Sequence, residues 1–382
     1  MYLPNSSSLG IQALIVYQTR FNLKSLHTTA PISYKSAVLT SIMRALRYYN
    51  PGDLRLEHDV PEPVCADYQV KIKPAFVGIC GTDLHEYSSS TFIPERGQPH
   101  PVTGETRPVT IGHEISGIVV EPTVCCFECP SCKEGYYTCC STPGFLGLSG
   151  GGGGMSDAIC VHSEFVHRLP DDMPLDIGVL VEPLATAWRA VVESDIKPGA
   201  NVLILGAGPI GLGVIQCCKA KGATTIVVAE VADERQAMAK SFGATHVFNP
   251  LDVDLVAAVK AASPDGQGSI ASFDCAGLQS TLQAACLATR PRGMVINVAI
   301  WEKEVLFNPN LLIFGERKFH SVLGYSQDDF RNVITAMKDG LLKPDAMITR
   351  KITIDRVVED GFEALIKDKK KHIKIQVDLS VA

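Results

Sequence analysis

Hydrophobic and polar positions are patterned differently in two stretches of the chain. Residues 43–192 carry short runs of β-type residues, Val70-Lys71-Ile72-Lys73, Ile115 to Val120 and Ala158 to Val161, separated by loops rich in Gly and Pro. From about Val191 short apolar runs alternate with helical patterns. Strands are predicted at Asn201 to Leu205, Thr225 to Ala229, His246 to Asn249, Ser272 to Cys275, Met294 to Ala299 and Phe319 to Leu323. Helices are predicted at Pro209 to Lys221, Asp233 to Phe242, Gln279 to Ala288 and Asp328 to Lys338. Apolar strands of four to six residues alternating with helices specify a parallel sheet covered on both faces, an α/β doubly wound arrangement. After about Lys343 the pattern returns to alternation (Ile348, Ile352, Ile354; Ile373, Ile375, Val377), so residues 344–382 are expected to rejoin the first domain. The expected organisation is therefore a β-rich domain over 43–192, an α/β domain over 193–343 and a returning tail.

Residues 1–42 stand apart. They contain no Asp or Glu, seven Ser, and Arg20, Lys24 and Lys35 as their basic residues. That composition suits a mitochondrial presequence, although Ile11 to Tyr17 is more evenly apolar than amphipathic, and a leader outside the fold is the plainer expectation. The whole chain of 382 residues has 35 basic and 41 acidic side chains and a formal charge of −6. This balance argues against a nucleic-acid partner, whose phosphates need a basic surface. No apolar run reaches the roughly 18–20 residues that cross a bilayer, so a globular protein of the cytoplasm is expected, or of the mitochondrion if residues 1–42 direct it there.

Cysteine changes the picture more than charge does. Six of the 13 cysteines (Cys125, Cys126, Cys129, Cys132, Cys139, Cys140) fall within sixteen residues, and the rest lie scattered, several in apolar runs such as Ile215-Gln216-Cys217-Cys218. This usage points to reduced thiols and a metal site rather than a disulfide scaffold. Cys126-x2-Cys129-x2-Cys132-x7-Cys140 supplies four thiolates, enough for closed tetrahedral zinc, a structural rather than catalytic site. A register slipped onto Cys125 or Cys139 is an alternative.

Gly206-Ala207-Gly208-Pro209-Ile210-Gly211 follows a predicted strand and opens a predicted helix. In that context the glycines permit a tight turn, close approach of a pyrophosphate and close helix–strand packing, with the helix N-terminus facing the phosphates. Glu230, 24 residues after Gly206, sits at the end of the next strand, placed to accept from both ribose hydroxyls. A carboxylate there repels a 2′-phosphate, which favours NAD over NADP. Arg235 has two readings, a stacking partner for adenine or a solvated helix residue.

Metal-capable side chains recur at Gly78-Ile79-Cys80-Gly81-Thr82-Asp83-Leu84-His85-Glu86, at Gly112-His113-Glu114 and at Val181-Glu182-Pro183-Leu184-Ala185. Together with His100-Pro101-Val102-Thr103-Gly104-Glu105-Thr106 and Phe145-Leu146-Gly147-Leu148, these motifs make the chain from Met43 onward resemble the zinc-containing medium-chain alcohol and polyol dehydrogenases. The branch it resembles acts on 2,3-butanediol and lies close to the sorbitol dehydrogenases. The resemblance implies a GroES-like β-barrel catalytic domain beside the Rossmann domain, one catalytic and one structural zinc, and assembly as a homodimer or homotetramer. It implies that Cys80, His113 and a carboxylate, Glu114 or Glu182, bind the catalytic zinc. Thr82 would take the substrate's hydroxyl proton and pass it, through the nicotinamide ribose, to His85. The implied reaction moves hydride between NAD and a vicinal diol or α-hydroxyketone, most simply (R,R)-2,3-butanediol and acetoin. A sorbitol- or xylitol-type substrate is the alternative. Phe92, Ile93 and Trp301 are guesses for the pocket lining.

One departure stands out. Gly117-Ile118-Val119-Val120-Glu121 runs directly into Pro122-Thr123-Val124-Cys125, where the family carries about seventeen further residues. Loss of a hairpin is expected to leave neighbouring strands without ladder partners. A catalytically impaired, NAD-binding chain is the corresponding alternative function.

Overall fold

The computed structural model describes residues 41–381, so the leader expected over 1–42 lies outside the described residues except for Ser41 and Ile42. The first strand, Ile42–Asn50, pairs antiparallel with Asp53–Pro61 and with Val109–Thr110. A mixed six-stranded sheet then runs in the spatial order Val166–His167, Val119–Val120, Glu114–Ser116, Phe76–Gly78, Lys374–Asp378 and Ile348–Thr353. The C-terminal strand thus enters the first domain's sheet, antiparallel to Phe76–Gly78. Gln69–Ile72 pairs with Ile159–His162, and Thr123–Val124 with Gly144–Phe145.

The shortened segment does not leave orphan strands. Ile115 to Val120 is not one strand: the chain turns at Gly117-Ile118, and Val119–Val120 folds back on Glu114–Ser116 while pairing on its other side with Val166–His167. Glu121 then continues inward, its N–H bonded to Phe165 O and its carboxylate facing His167 Nε2 at 3.3 Å, both side chains buried. Pro122 O then accepts from Leu146 N, and Thr123–Val124 pairs with Gly144–Phe145, so the chain stays hydrogen-bonded on both sides of the junction.

The second sheet is parallel throughout, in the order His246–Phe248, Thr225–Ala229, Asn201–Leu205, Ser269–Asp274, Thr289–Asn297 and Lys318–Ser321. Its central strand Asn201–Leu205 is buried at every position because helices cover both faces. The α/β pattern begins earlier than Val191. Helix Val181–Glu193 packs its apolar face on helix Pro209–Ala220, and the two close so tightly that a side chain on Gly213 would meet Ala187 Cβ at 2.9 Å. That helix joins the barrel to the parallel sheet.

The cysteines are not all reduced. Cys65 and Cys160 form a disulfide, tying the loop before Gln69–Ile72 to the strand that pairs with it. The expectation that thiols outside the cluster stay free is corrected at this pair. Spacing along the chain did not show it, because the partners are 95 residues apart.

Candidate active site and metal centres

Among the described residues, two groups of side chains hold donor atoms mutually within 4.8 Å: Cys80, His113 and Glu114, and Cys126, Cys129, Cys132 and Cys140. The first is assembled by local capping. Cys80 leaves strand Phe76–Gly78 in extended backbone and begins helix Gly81–Ser89, and Asp83 reaches back to accept from Cys80 N at 2.9 Å. The other oxygen of Asp83 lies 3.3 Å from His113 Nδ1. A carboxylate behind one ring nitrogen orients the imidazole and leaves the other nitrogen for a metal. Burial opposes protonation of His113, yet the negative charges of Asp83 and Cys80 outweigh it and raise its pKa well above the ordinary value. Metal binding at this site therefore has to release a proton.

Glu114 comes from the strand beside Phe76–Gly78. Its Oε1 pairs with Lys374 Nζ at 2.5 Å in full burial, and that ammonium also donates to Ile79 O at 3.2 Å. Its Oε2 is buried with no partner. Gly78 makes room for it, since a Cβ on Gly78 would fall 1.9 Å from that oxygen. A thiolate, an imidazole backed by a carboxylate, and an unsatisfied carboxylate oxygen form a donor set that fits zinc with a position left open. Glu182, in the first turn of helix Val181–Glu193, is buried in the same charged neighbourhood but outside that trio. Burial pushes its carboxyl up to about 7, against the positive charge of His113 and with the added repulsion of Glu114.

The sulfurs of Cys126, Cys129, Cys132 and Cys140 form the second group. Cys140 Sγ lies 3.5 Å from Cys126 Sγ and 4.0 Å from Cys129 Sγ. Backbone N–H groups of Ser141 and Cys132 push the Cys129 thiol down to about 6, while burial raises that of Cys132. Cys125 is buried in the same apolar cluster as Cys132 and Cys140, where burial pushes its thiol up to about 11, and Cys139 is exposed. The donor set of four sulfurs fits a closed structural zinc.

Thr82 follows Cys80 closely enough for a 3.7 Å contact between Cys80 Sγ and Thr82 Oγ1. His85, one turn further on, faces Glu302 of the α/β half, with Nδ1 and Oε1 3.4 Å apart. The glycine-rich turn ends strand Asn201–Leu205, and helix Pro209–Ala220 starts on Gly208. A Cβ on Gly211 would lie 1.9 Å from Gly206 O, so this close turn requires glycine there. Glu230 accepts from Ala207 N at 2.8 Å and from Val231 N and Ala232 N at 2.9 Å each. It thereby braces the turn on which a pyrophosphate would sit. Arg235 lies beside the same turn. Its guanidinium runs alongside Gly208 and donates to Lys369 O of the returning tail. Of the guessed pocket residues, Ile93 and Trp301 pack into separate apolar clusters, and Phe92 is exposed.

Sequence reasoning missed Asp83, Lys374, Tyr325 and Glu302. Two signals were present. Asp83 stands three residues after a helix-capping Cys80, and Lys374 is a charge between Ile373 and Ile375 in an alternating strand.

The comparisons agree with this geometry. Residues 66–171 match the alcohol dehydrogenase GroES-like domain, and residues 209–339 match the zinc-binding dehydrogenase family. The chain is 39% identical over 352 residues to a Bacillus subtilis (R,R)-butanediol dehydrogenase, covering 88% of this chain and 99% of that one. It is 36% identical over 355 residues to the Neisseria gonorrhoeae (R,R)-butanediol dehydrogenase, with the same coverage. The crystal structure of 2R,3R-butanediol dehydrogenase from Bacillus subtilis superposes with a TM-score of 0.82, covering 88% of this chain and 99% of that chain at 39% identity. The chain belongs to the zinc-containing medium-chain alcohol and polyol dehydrogenases, enzymes that use zinc and NAD, and within them it is similar to the (R,R)-butanediol dehydrogenases.

Proposed function

We propose that this enzyme interconverts (R,R)-2,3-butanediol and acetoin with NAD. The observation that carries the reading is the buried trio of Cys80, His113 and Glu114, whose free carboxylate oxygen and carboxylate-backed imidazole suit a zinc ion with an open position. Zinc held there supplies Lewis acidity to the oxygen of the reacting alcohol or ketone. The remaining work falls to the chain. Asp83 fixes Cys80 and His113, Lys374 balances the charge of Glu114, and Glu182 adds a second carboxylate beside the reacting carbon. Thr82 Oγ1 would accept the hydroxyl proton as it gives up its own toward the nicotinamide ribose, and His85, paired with Glu302, would be the outlet to solvent. Gly206, Gly208, Pro209, Ile210 and Gly211 cradle the pyrophosphate at the helix N-terminus, and Glu230 meets the adenosine ribose. Arg235 flanks the same turn. Cys126, Cys129, Cys132 and Cys140 hold the structural zinc.

Initial rates with each 2,3-butanediol stereoisomer and with 2-butanol test the substrate. The expected result is a preference of at least about tenfold in kcat/KM for the (R,R) diol, the size of one well-made polar contact. Equal efficiency with 2-butanol, or a higher rate with sorbitol, contradicts the assignment.

We propose a homodimer formed along the outer strand of the parallel sheet. Lys318–Ser321 is an open edge exposed along its length, and Phe319, Phe314 and Ile313 stand exposed near it. Light scattering on the purified protein should give twice the chain mass, and a monomer at micromolar concentration would refute this. Among the described residues no helix is long and apolar enough to cross a membrane. We place the protein in the cytoplasm because most of its described cysteines are unpaired. Recovery of the native protein from mitochondria would instead assign residues 1–42 the role of presequence.

A further inference from the structure

We propose that Thr103 is a positioning residue for the catalytic metal site, its hydroxyl fastening the glycine-rich turn that holds the backbone beside His113. The inference rests on the zinc reading of the Cys80–His113–Glu114 trio and adds the segment that keeps one of its donors in place.

Two of the sequence motifs, His100 to Thr106 and Phe145 to Leu148, supply no atom to either donor group, and the fold brings them together. The first lies on the loop that follows helix Gly81–Ser89. The start of that loop is tied back to the helix, with Thr91, Phe92 and Ile93 N–H donating to the Glu86 carboxylate. The loop then closes on itself, Arg107 N donating to Pro94 O at 3.2 Å and Gly104 N to His100 O at 2.8 Å. At its tip Thr103 Oγ1 accepts from Glu105 N at 3.3 Å and donates to Ser149 O at 2.8 Å. His100 steadies the same tip, its Nδ1 accepting from Val102 N at 3.3 Å and its Nε2 donating to Pro143 O at 3.2 Å.

Ser149 is buried in the turn from Phe145 to Gly154. Ser149 N donates to Phe145 O, and Gly147 N to Gly152 O, each at 2.7 Å. The inner side of the turn rests on Gly112, the residue before His113. Gly154 N donates to Gly112 O at 2.8 Å, Met155 N donates to Ile111 O at 3.0 Å, and a Cβ on Gly147 would fall 2.4 Å from Gly112 O. The outer side rests on the loop, where a Cβ on Gly150 would fall 2.6 Å from Glu105 Cβ. Contacts therefore run without a gap from Thr103 through the turn to Gly112 and His113. Asp83 orients the His113 ring, and the turn sets where that ring starts from.

The run Gly150–Gly154 gives the turn little stiffness of its own, because glycine has the widest backbone freedom of any residue. Groups outside the turn have to hold it, and Thr103 supplies a side-chain hydroxyl for that purpose. Groups that orient metal ligands without touching the metal typically cost about 10–100-fold in affinity when lost. Thr103 acts through backbone and not on the imidazole itself, so the lower end of that range applies.

Thr103→Val removes the hydroxyl and keeps the shape, whereas Thr103→Ser keeps the hydroxyl. Each protein is loaded with zinc and its ions are titrated away with a chromophoric chelator, Cys80→Ala identifying the ion that belongs to the trio. kcat and KM for (R,R)-2,3-butanediol are measured alongside at saturating zinc. In Thr103→Val the trio should hold zinc about tenfold more weakly, with the four-cysteine ion unchanged and kcat lowered several-fold at unchanged KM for NAD. Thr103→Ser should remain close to wild type on every measure. Zinc held as tightly in Thr103→Val as in wild type overturns the proposal. Equal weakening of both ions overturns it too, as a general loosening of the barrel, and so does a loss in Thr103→Ser as large as that in Thr103→Val. Wild-type protein that binds only the four-cysteine ion overturns it before any variant is compared, and identifies the trio reading as what failed.

Discussion

Cys80→Ala should lower the turnover of (R,R)-2,3-butanediol by about a thousandfold or more, roughly 4 kcal/mol of transition-state stabilisation. It should also leave one zinc per chain where the native enzyme holds two. The expectation follows from how the trio is built. Cys80 is its only sulfur donor, and its backbone N–H anchors Asp83, which in turn faces His113. The N–H survives the substitution, so the helix and the imidazole stay in place and the loss isolates the ligand. The four-cysteine loop is separate from the trio, so its zinc and most of the thermal stability should persist. Metal content, measured beside kcat/KM, checks both parts. Retention of two zinc ions with near-native turnover would show that the trio is not the catalytic metal site.

Lys374→Met should destabilise the zinc-free protein by about 3–5 kcal/mol, the usual cost of stripping one partner from a buried ion pair. Glu114 and Lys374 are both nearly inaccessible, and among the described residues Lys374 is the basic side chain within ion-pair distance of Glu114. The dependence on metal separates this account from simple packing. Zinc at the trio supplies positive charge to the same carboxylate, so the loss should shrink by half or more in zinc-loaded protein. Urea unfolding with and without zinc reads the difference. Replacing Glu114 and Lys374 together by apolar residues should restore most of the apo stability, because a buried pair is costly mainly when broken. A loss below about 1 kcal/mol in both states would mean that the pair is not balancing charge as described.

The α/β half was the more legible part, for a physical reason. Strands buried on both faces read as apolar runs, and helices covering them show their own period. Thr225–Ala229, Asp233–Phe242 and Gln279–Ala288 lie at the positions their patterns predict. The barrel was harder because strands such as Val119–Val120 and Thr123–Val124 are too short to show any period. Ile115 to Val120 therefore read as one strand where the chain in fact turns. Helix Gly81–Ser89 escaped because its buried positions are Asp83 and Glu86, acids whose partners are capping and loop N–H groups, not an apolar face.

The site divides the same way. Donors that stand close together in sequence, such as the four cysteines or His113 and Glu114, announced themselves by spacing. Lys374 meets Glu114 across 260 residues, and Tyr325 reaches Glu182 from the other half of the molecule. Contacts of that kind exist only once the returning tail and the α/β half have closed on the barrel. Of the two carboxylates that the sequence leaves open, Glu114 lies with Cys80 and His113 within 4.8 Å, which supports the proposal that it is the ligand.

This chain, with its shortened barrel segment, is expected to assemble a working zinc site for a diol. The most direct measurement is NADH formation by the full chain with (R,R)-2,3-butanediol, before chelation, after chelation and after zinc is restored. The expected result is turnover that chelation abolishes and zinc recovers. Protein that binds NAD and carries two zinc ions yet forms no NADH from the diol would contradict it.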